Sequence, residues 1–320
     1  MEYLLLILGI ILLVKGAEYL VEGSSSLAKK LGIPTIVIGL TIVAFGTSLP
    51  ELVVNIISAL KKSGEIAFGN IIGSNIANIL LILGVTGIIT NLNVERSTTW
   101  KEIPFSLLGV IILLIFVNAP FLDKSGASSI TRSQGLILLF FFIIFLYYIF
   151  ELAKKKKIQR EGEKIKVKKY SSLTIFSMVL GGLIALYFGG EWTVKSAVSI
   201  AKQLGLSEYF IGLTIVAIGT SLPELFTSIV AGLKKNSDIA VGNVVGSNIF
   251  NIFWVLGVTA LIYPIKLSAS ANLDLLFLLG ATFLLFLFMF IGKKHELQKW
   301  QGFIFILTYL AYLISLIKRG

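Results

Sequence analysis

Two glutamates stand inside apolar, membrane-length runs of this chain, each at the end of the same phrase. Residues 39–55 read GLTIVAFGTSLPELVVN and residues 212–228 read GLTIVAIGTSLPELFTS, identical at 13 of 17 positions. A second phrase follows each, GNIIGSNIANI at 69–79 and GNVVGSNIFNI at 242–252, identical at 8 of 11. Both pairs are offset by 173 residues, so spacing is preserved with wording. A charge at bilayer depth costs about 2.5–3.5 kcal/mol on insertion scales, which makes Glu51 and Glu224 candidate functional groups. Thr47 and Glu51 are four apart, as are Thr220 and Glu224, and each pair is expected to share a helix face. Ser74 with Asn78 and Ser247 with Asn251 repeat that spacing one segment later. Brought together, the four segments give two carboxylates among hydroxyl, amide and carbonyl oxygens, a donor set suited to hard cations such as Na⁺ and Ca²⁺. One Ca²⁺ or two Na⁺ would neutralise two carboxylates, so the two ions are expected to exclude each other. Exchange requires that exclusion.

The elements that position these groups follow from composition. The chain has 320 residues, 56% of them hydrophobic, more apolar surface than a soluble domain of this size can hide. The expected fold class is an all-α polytopic membrane protein. Polar breaks divide it into ten transmembrane helices near 2–22, 33–60, 64–90, 103–118, 133–153, 172–198, 208–233, 238–264, 271–291 and 300–317. The first is read as a span and not as a removed signal peptide. Pro50 and Pro223 lack the N–H that would pair with the carbonyls of Gly46 and Gly219, and an opened helix of this kind frees oxygens for a ligand. Gly69, Gly73, Gly242 and Gly246 are expected to allow close helix approach.

The net charge of +11 does not indicate nucleic acid, because nine of the 28 basic residues lie in KKKKIQREGEKIKVKK at 154–169. That is the make-up of a cytoplasmic loop near anionic lipid. With this loop inside, inner loops collect 18 Lys and Arg against eight outside. Both termini are therefore expected outside the cell membrane, with 154–171 cytoplasmic. Five spans per copy force the second copy to enter the membrane upside down: 1–153 and 172–320 become two inverted five-helix repeats, with the site at the midplane between them. Residues 16–39 also align without a gap to 189–212, pairing Glu18 with Glu191, and Gln134-Gly135 matches Gln301-Gly302 at an offset of 167. Lys15, Glu18, Glu22, Glu191 and Lys195 are read as lying toward helix ends, paired or snorkelling, and outside the site.

At GTSLPEL with GNIIGSNIANI, repeated as GTSLPEL with GNVVGSNIFNI, the chain resembles the two alpha repeats of the cation/calcium exchanger superfamily, in its compact prokaryotic sodium/calcium form. The resemblance covers the whole chain and lacks the large regulatory domain of animal members. It implies Glu51 and Glu224 as central ligands shared by both ions, with oxygens from Thr47, Ser48, Thr220 and Ser221. It further implies main-chain carbonyls from Ala44 and Ala217, flanking sodium sites at Ser74 and Ser247, and Asn78 and Asn251 completing the centre. It also implies that the first and sixth helices slide across the other eight. Some relatives, potassium-dependent exchangers among them, carry Asp at the position of Asn251 or at both Asn positions; the amides here argue against potassium co-transport. Proton-coupled relatives carry a Glu after Gly-Asn, whereas Gly69-Asn70 and Gly242-Asn243 lead into Ile-Ile-Gly and Val-Val-Gly.

The expected activity is electrogenic calcium extrusion driven by sodium. A proton/calcium antiporter is the alternative within the class, and a calcium-permeable channel the alternative outside it. An enzyme is not expected: Ser48 or Ser221 would need a base, and the single histidine, His295, sits in the charged stretch GKKHELQKW. No cofactor is expected, and the partners are Na⁺, Ca²⁺ and the bilayer, without nucleic acid or an obligate protein. Cysteine is absent, which removes disulfides and thiolate metal sites.

Overall fold

The computed structural model describes residues 2–122, 129–157, 170–204, 217–267 and 271–319. Helix α1 spans Glu2–Leu31, α2 Thr35–Thr47, α3 Leu49–Leu60, α4 Gly64–Ile89, α5 Thr98–Ala119 and α6 Arg132–Lys154, while α7 spans Ser172–Gln203. The short α8, Ala217–Gly219, and α9, Leu222–Leu233, follow. Then come α10 Ser237–Ile262, α11 Ala271–Phe288 and α12 Lys299–Arg319. Among the described residues, eight helices are long and apolar enough to cross a membrane, and α2 with α3 across a 45° bend makes a ninth. The remainder of the span expected at 208–233, and most of the expected linker 154–171, lie outside the described residues.

The first helix runs nine residues beyond its expected end at 22. Ser24, Ser25 and Ser26 do not stop it, and Ser25 returns its hydroxyl to the Val21 carbonyl at 2.7 Å. It ends where Gly32 turns left-handed, φ 66°, and Ile33 N–H reaches the Ala28 carbonyl at 3.0 Å. The correction matters because Lys15 and Glu18 then stand mid-helix, not near an end.

In lipid there is no hydrophobic drive between helices, so close backbone approach must supply the packing. α1 and α7 meet antiparallel through glycines: a Cβ on Gly16 would lie 2.9 Å from the Gly182 carbonyl, and one on Gly9 3.0 Å from that of Gly189. Gly84 of α4 meets Gly302 of α12, and Gly135 of α6 meets Gly257 of α10, in the same way. These contacts join the first half of the chain to the second. So do two short antiparallel ladders at opposite ends of the bundle. β1 (Leu92–Asn93) pairs with β4 (Glu296–Leu297), and β2 (Ser129–Ile130) with β3 (Ile265–Lys266).

Burial sorts the helices. The most apolar windows of α4 and α10 are 78% buried, whereas those of α1, α6, α7 and α12 are 28–33% buried. The two spans carrying the Asn-rich phrases therefore form the centre, wrapped by helices whose outward residues, such as Phe140 and Leu173, suit contact with lipid. Between α10 and its wrapping, Phe253 is fully buried against Phe105 at 5.0 Å and Phe141 at 5.7 Å.

Candidate cation site

The prolines start helices instead of kinking them. The break lies at Ser48, with φ −84° and ψ 6°, and Pro50 is the second residue of α3, where a missing N–H leaves nothing unpaired. Ser221, φ −88° and ψ 6°, and Pro223 repeat this at α9. Glu51 and Glu224 consequently occupy first helical turns, where the aligned peptide dipoles favour negative charge. Gly46 and Gly219 serve the approach of α7: a Cβ there would lie 2.3 Å from Leu183 Cδ2 and 2.4 Å from Val194 Cγ2.

Both glutamates are fully buried. Ser74 donates to Glu51 Oε1 at 3.1 Å. Ser48 donates to Glu224 Oε1 at 3.2 Å, and Ser247 approaches the same oxygen at 3.5 Å. The carboxylates are close enough to feel each other electrostatically, Thr220 lies close to Glu51, and Thr47 close to Glu224. The expected sharing of a face by Thr47 and Glu51 is replaced by a swap. The bend between them turns Thr47 and Ser48 toward the other half's glutamate. The Thr47 hydroxyl, with one hydrogen to give, lies 2.9 Å from Asn243 Oδ1 and 3.1 Å from the Val43 carbonyl. Ser221 donates to Ser74 Oγ at 3.2 Å, so in this state it reaches Glu51 through Ser74.

The remaining expected residues converge as well. Asn251 Nδ2 donates to Ser74 Oγ at 3.3 Å and to Asn75 Oδ1 at 3.0 Å, and Asn78 Nδ2 donates to Asn248 Oδ1 at 2.9 Å. The Ala44 carbonyl accepts from Ser247 at 3.4 Å. Of Ala217 only the backbone, at the start of α8, is described. Gly242 and Gly246 do allow close approach, to Gly39 and Leu40 of α2. The matching surroundings of Gly69 and Gly73 fall in part outside the described residues.

Four buried oxygens in this network have no hydrogen-bond donor among the described residues: Glu51 Oε2, Glu224 Oε2, Asn78 Oδ1 and Asn251 Oδ1. Each belongs to a side chain whose other polar atom is engaged, so the acceptors are left over by design of the network. Buried acceptors are costly without a partner, and a cation is the partner that takes several at once. Among the described residues no cluster of three or more His, Cys, Asp or Glu occurs. The donor set is two carboxylates plus neutral oxygens, which suits Na⁺ and Ca²⁺ better than a soft transition metal.

Sequence reasoning passed over the asparagines that brace this site. Asn70 donates to the Glu51 carbonyl at 3.4 Å and to Asn55 Oδ1 at 2.7 Å. Asn243 donates to the Glu224 carbonyl at 3.3 Å and to Ser228 Oγ at 3.0 Å. Asn75 and Asn248 join the two central helices. Identity of Asn70, Asn75, Asn243 and Asn248 in both phrases was the available signal.

A cleft of about 260 Å³ adjoins the site, lined by α3, α7 and the α8–α9 region, with Thr220 and Pro223 among its lining residues. It lies where α7 stands off α3, on the face that carries Glu2 and Gln203. The corresponding contact in the other half is closed. α1 packs along α9, and Lys234 bonds the Glu18 carbonyl at 3.3 Å and pairs with Glu22 at 3.4 Å.

A helical membrane chain with buried carboxylates ringed by neutral oxygens and approached by a cleft has the build of a cation transporter. Residues 1–151 and 174–318 match the sodium/calcium exchanger protein family. The chain is 32% identical to the sodium/calcium exchanger MaX1 of Methanosarcina acetivorans over 98% of each sequence. It is 38% identical to the inner membrane protein YrbG of Escherichia coli over 83% of this chain and 82% of that one. Among solved structures, the sodium-calcium exchanger NCX_Mj soaked with 100 mM Na⁺ and 10 mM Sr²⁺ superposes with a TM-score of 0.83, at 32% identity over 98% of both chains. This chain belongs to the sodium/calcium exchanger family, within the cation/calcium exchanger superfamily that the repeated phrases resemble.

Proposed function

We propose that the chain is a secondary antiporter that exchanges Na⁺ for Ca²⁺ by alternating access and extrudes calcium electrogenically. The observation that carries this reading is the set of four donorless buried oxygens on Glu51, Glu224, Asn78 and Asn251. Both glutamates bind either ion in this account, Asn78 and Asn251 complete the centre, and Ser74 and Ser247 form flanking sodium positions. Thr47, Ser48, Thr220 and Ser221, with the carbonyls of Ala44 and Ala217, supply the remaining oxygens. Two carboxylates balance one Ca²⁺ or two Na⁺, which supports mutually exclusive occupancy.

The architecture proposed is ten spans in two inverted repeats, 1–153 and 172–320, joined by the basic linker 154–171. Contacts that recur with the repeat offset support it, such as Gly84 with Gly302 and Gly135 with Gly257, as does the NCX_Mj likeness. The 18-to-eight distribution of basic residues supports termini outside and the linker inside. On that orientation the cleft opens outward.

The test is ⁴⁵Ca²⁺ uptake into proteoliposomes loaded with Na⁺, compared with K⁺ or choline at matched pH. Uptake only with internal Na⁺ is expected. Uptake that ignores Na⁺ and follows an imposed pH gradient would replace sodium by protons as the coupling ion.

A further inference from the structure

Among the described residues the cleft wall carries two charged side chains, Glu191 and Lys195, both on α7, and its other described lining residues are uncharged. Its lining includes Thr220, which lies close to Glu51. A carboxylate set in a mostly apolar cleft focuses the field felt by an approaching cation. Glu191 is bonded by Lys195 at 2.6 Å, with side-chain exposures of 35% and 73%. An ion pair so exposed is weak, and a divalent cation is able to take the lysine's place. Mid-helix position also sets Glu191 apart from the snorkelling residues with which sequence reasoning grouped it.

The repeat adds a second, independent observation. Glu18 is the counterpart of Glu191 on α1, and it too has a lysine, Lys15, at 2.7 Å. The lysines are not counterparts: Lys15 lies three residues before its glutamate and Lys195 four after. The glutamate therefore recurs by repetition, while each half reaches a lysine partner by its own route. On the Glu18 side, where α1 closes on α9, Lys234 covers the same region.

We propose that Glu191 is an access site, a docking carboxylate for hydrated Ca²⁺ or Na⁺ at the cleft, restrained by Lys195 and upstream of Glu51. Glu18 with Lys15 is its counterpart for the opposite face. This rests on the exchanger reading above.

The test compares wild type, E191Q, K195Q and the double variant by sodium-dependent ⁴⁵Ca²⁺ uptake, with the cleft face exposed to label. At low ionic strength E191Q is expected to raise the calcium KM about 3- to 10-fold, and K195Q to lower it about threefold. The double variant should fall between them, and every shift should shrink as choline chloride is raised to about 0.5 M. With label on the opposite face, KM should not move. Shifts of the same sign in both single variants, or none in an actively exchanging protein, would overturn the access site alone. Absence of sodium-dependent flux in wild type would overturn the exchanger reading beneath it.

A second readout does not need transport. The chain has no cysteine, so V54C places a unique thiol in the cleft. A cationic thiosulfonate should label it faster than a neutral one, with the ratio reduced by E191Q and increased by K195Q. A ratio indifferent to both changes would contradict the proposal.

Discussion

Asn75 and Asn248 clasp each other across the two halves of the chain: each side-chain amide donates to the other's backbone carbonyl at 3.3 Å. The same residues hold the site, since Asn75 Oδ1 accepts from Asn251 and Asn248 Oδ1 from Asn78. This turns the free oxygens of Asn78 and Asn251 away from the clasp and leaves them for a cation.

Breaking the clasp should loosen both helices and disorder the site. Asn75→Ala takes an acceptor from the buried Asn251 amide and Asn248→Ala takes one from that of Asn78, a loss of about 1–3 kcal/mol each. The double variant should cost less than the sum, because each single change already opens the clasp. Thermal unfolding in detergent measures this. Strict additivity would mean that the two asparagines stabilise their helices independently.

The braces behind the two glutamates are unequal. Asn55 donates to the Ala67 carbonyl at 3.2 Å and to Thr259 at 3.3 Å while accepting from Asn70. Among the described residues its counterpart Ser228 donates to the Ala240 carbonyl alone, at 3.4 Å, and Thr86, counterpart of Thr259, has a buried hydroxyl with no partner. Asn55→Ala should therefore destabilise by about 1–3 kcal/mol and Ser228→Ala by about 0.5–1.5 kcal/mol. Equal losses of melting temperature would show that the shorter side chain braces as well as the longer one.

Adding a carboxylate should change the ion requirement. Asn251→Asp takes the site from two negative charges to three, which Ca²⁺ alone does not neutralise. Calcium uptake by this variant should depend on an added monovalent cation in the external medium, and wild-type uptake should not. Uptake by Asn251→Asp that is indifferent to K⁺ or Na⁺ alongside Ca²⁺ would contradict the charge balance.

Much of this was legible in the chain. Apolar runs marked the spans, and the doubled phrases marked Glu51, Glu224, Ser74, Ser247, Asn78 and Asn251, which the structure gathers in one network. Helical spacing misplaced Thr47, because a break at Ser48 turns it away from the face it would otherwise share with Glu51. The clasp was hidden for another reason. Asn75 stands one residue from Ser74 and so points about 100° away, toward a partner 173 positions distant that no local period reports. Asn55 escaped the repeat comparison altogether, because its counterpart is serine. The reach of α1 to Leu31 was set by its left-handed glycine cap, which apolar composition does not reveal.

In the proposed exchange one site holds calcium or sodium but not both. Equilibrium ⁴⁵Ca²⁺ binding to purified protein, titrated with Na⁺ at constant ionic strength, is the decisive measurement. Sodium should displace calcium completely, with a steepness above one that reflects more than one Na⁺ per Ca²⁺. Glu51→Gln or Glu224→Gln should lose high-affinity calcium binding. Calcium that stays bound at saturating sodium, or binding that survives in both variants, would contradict the account.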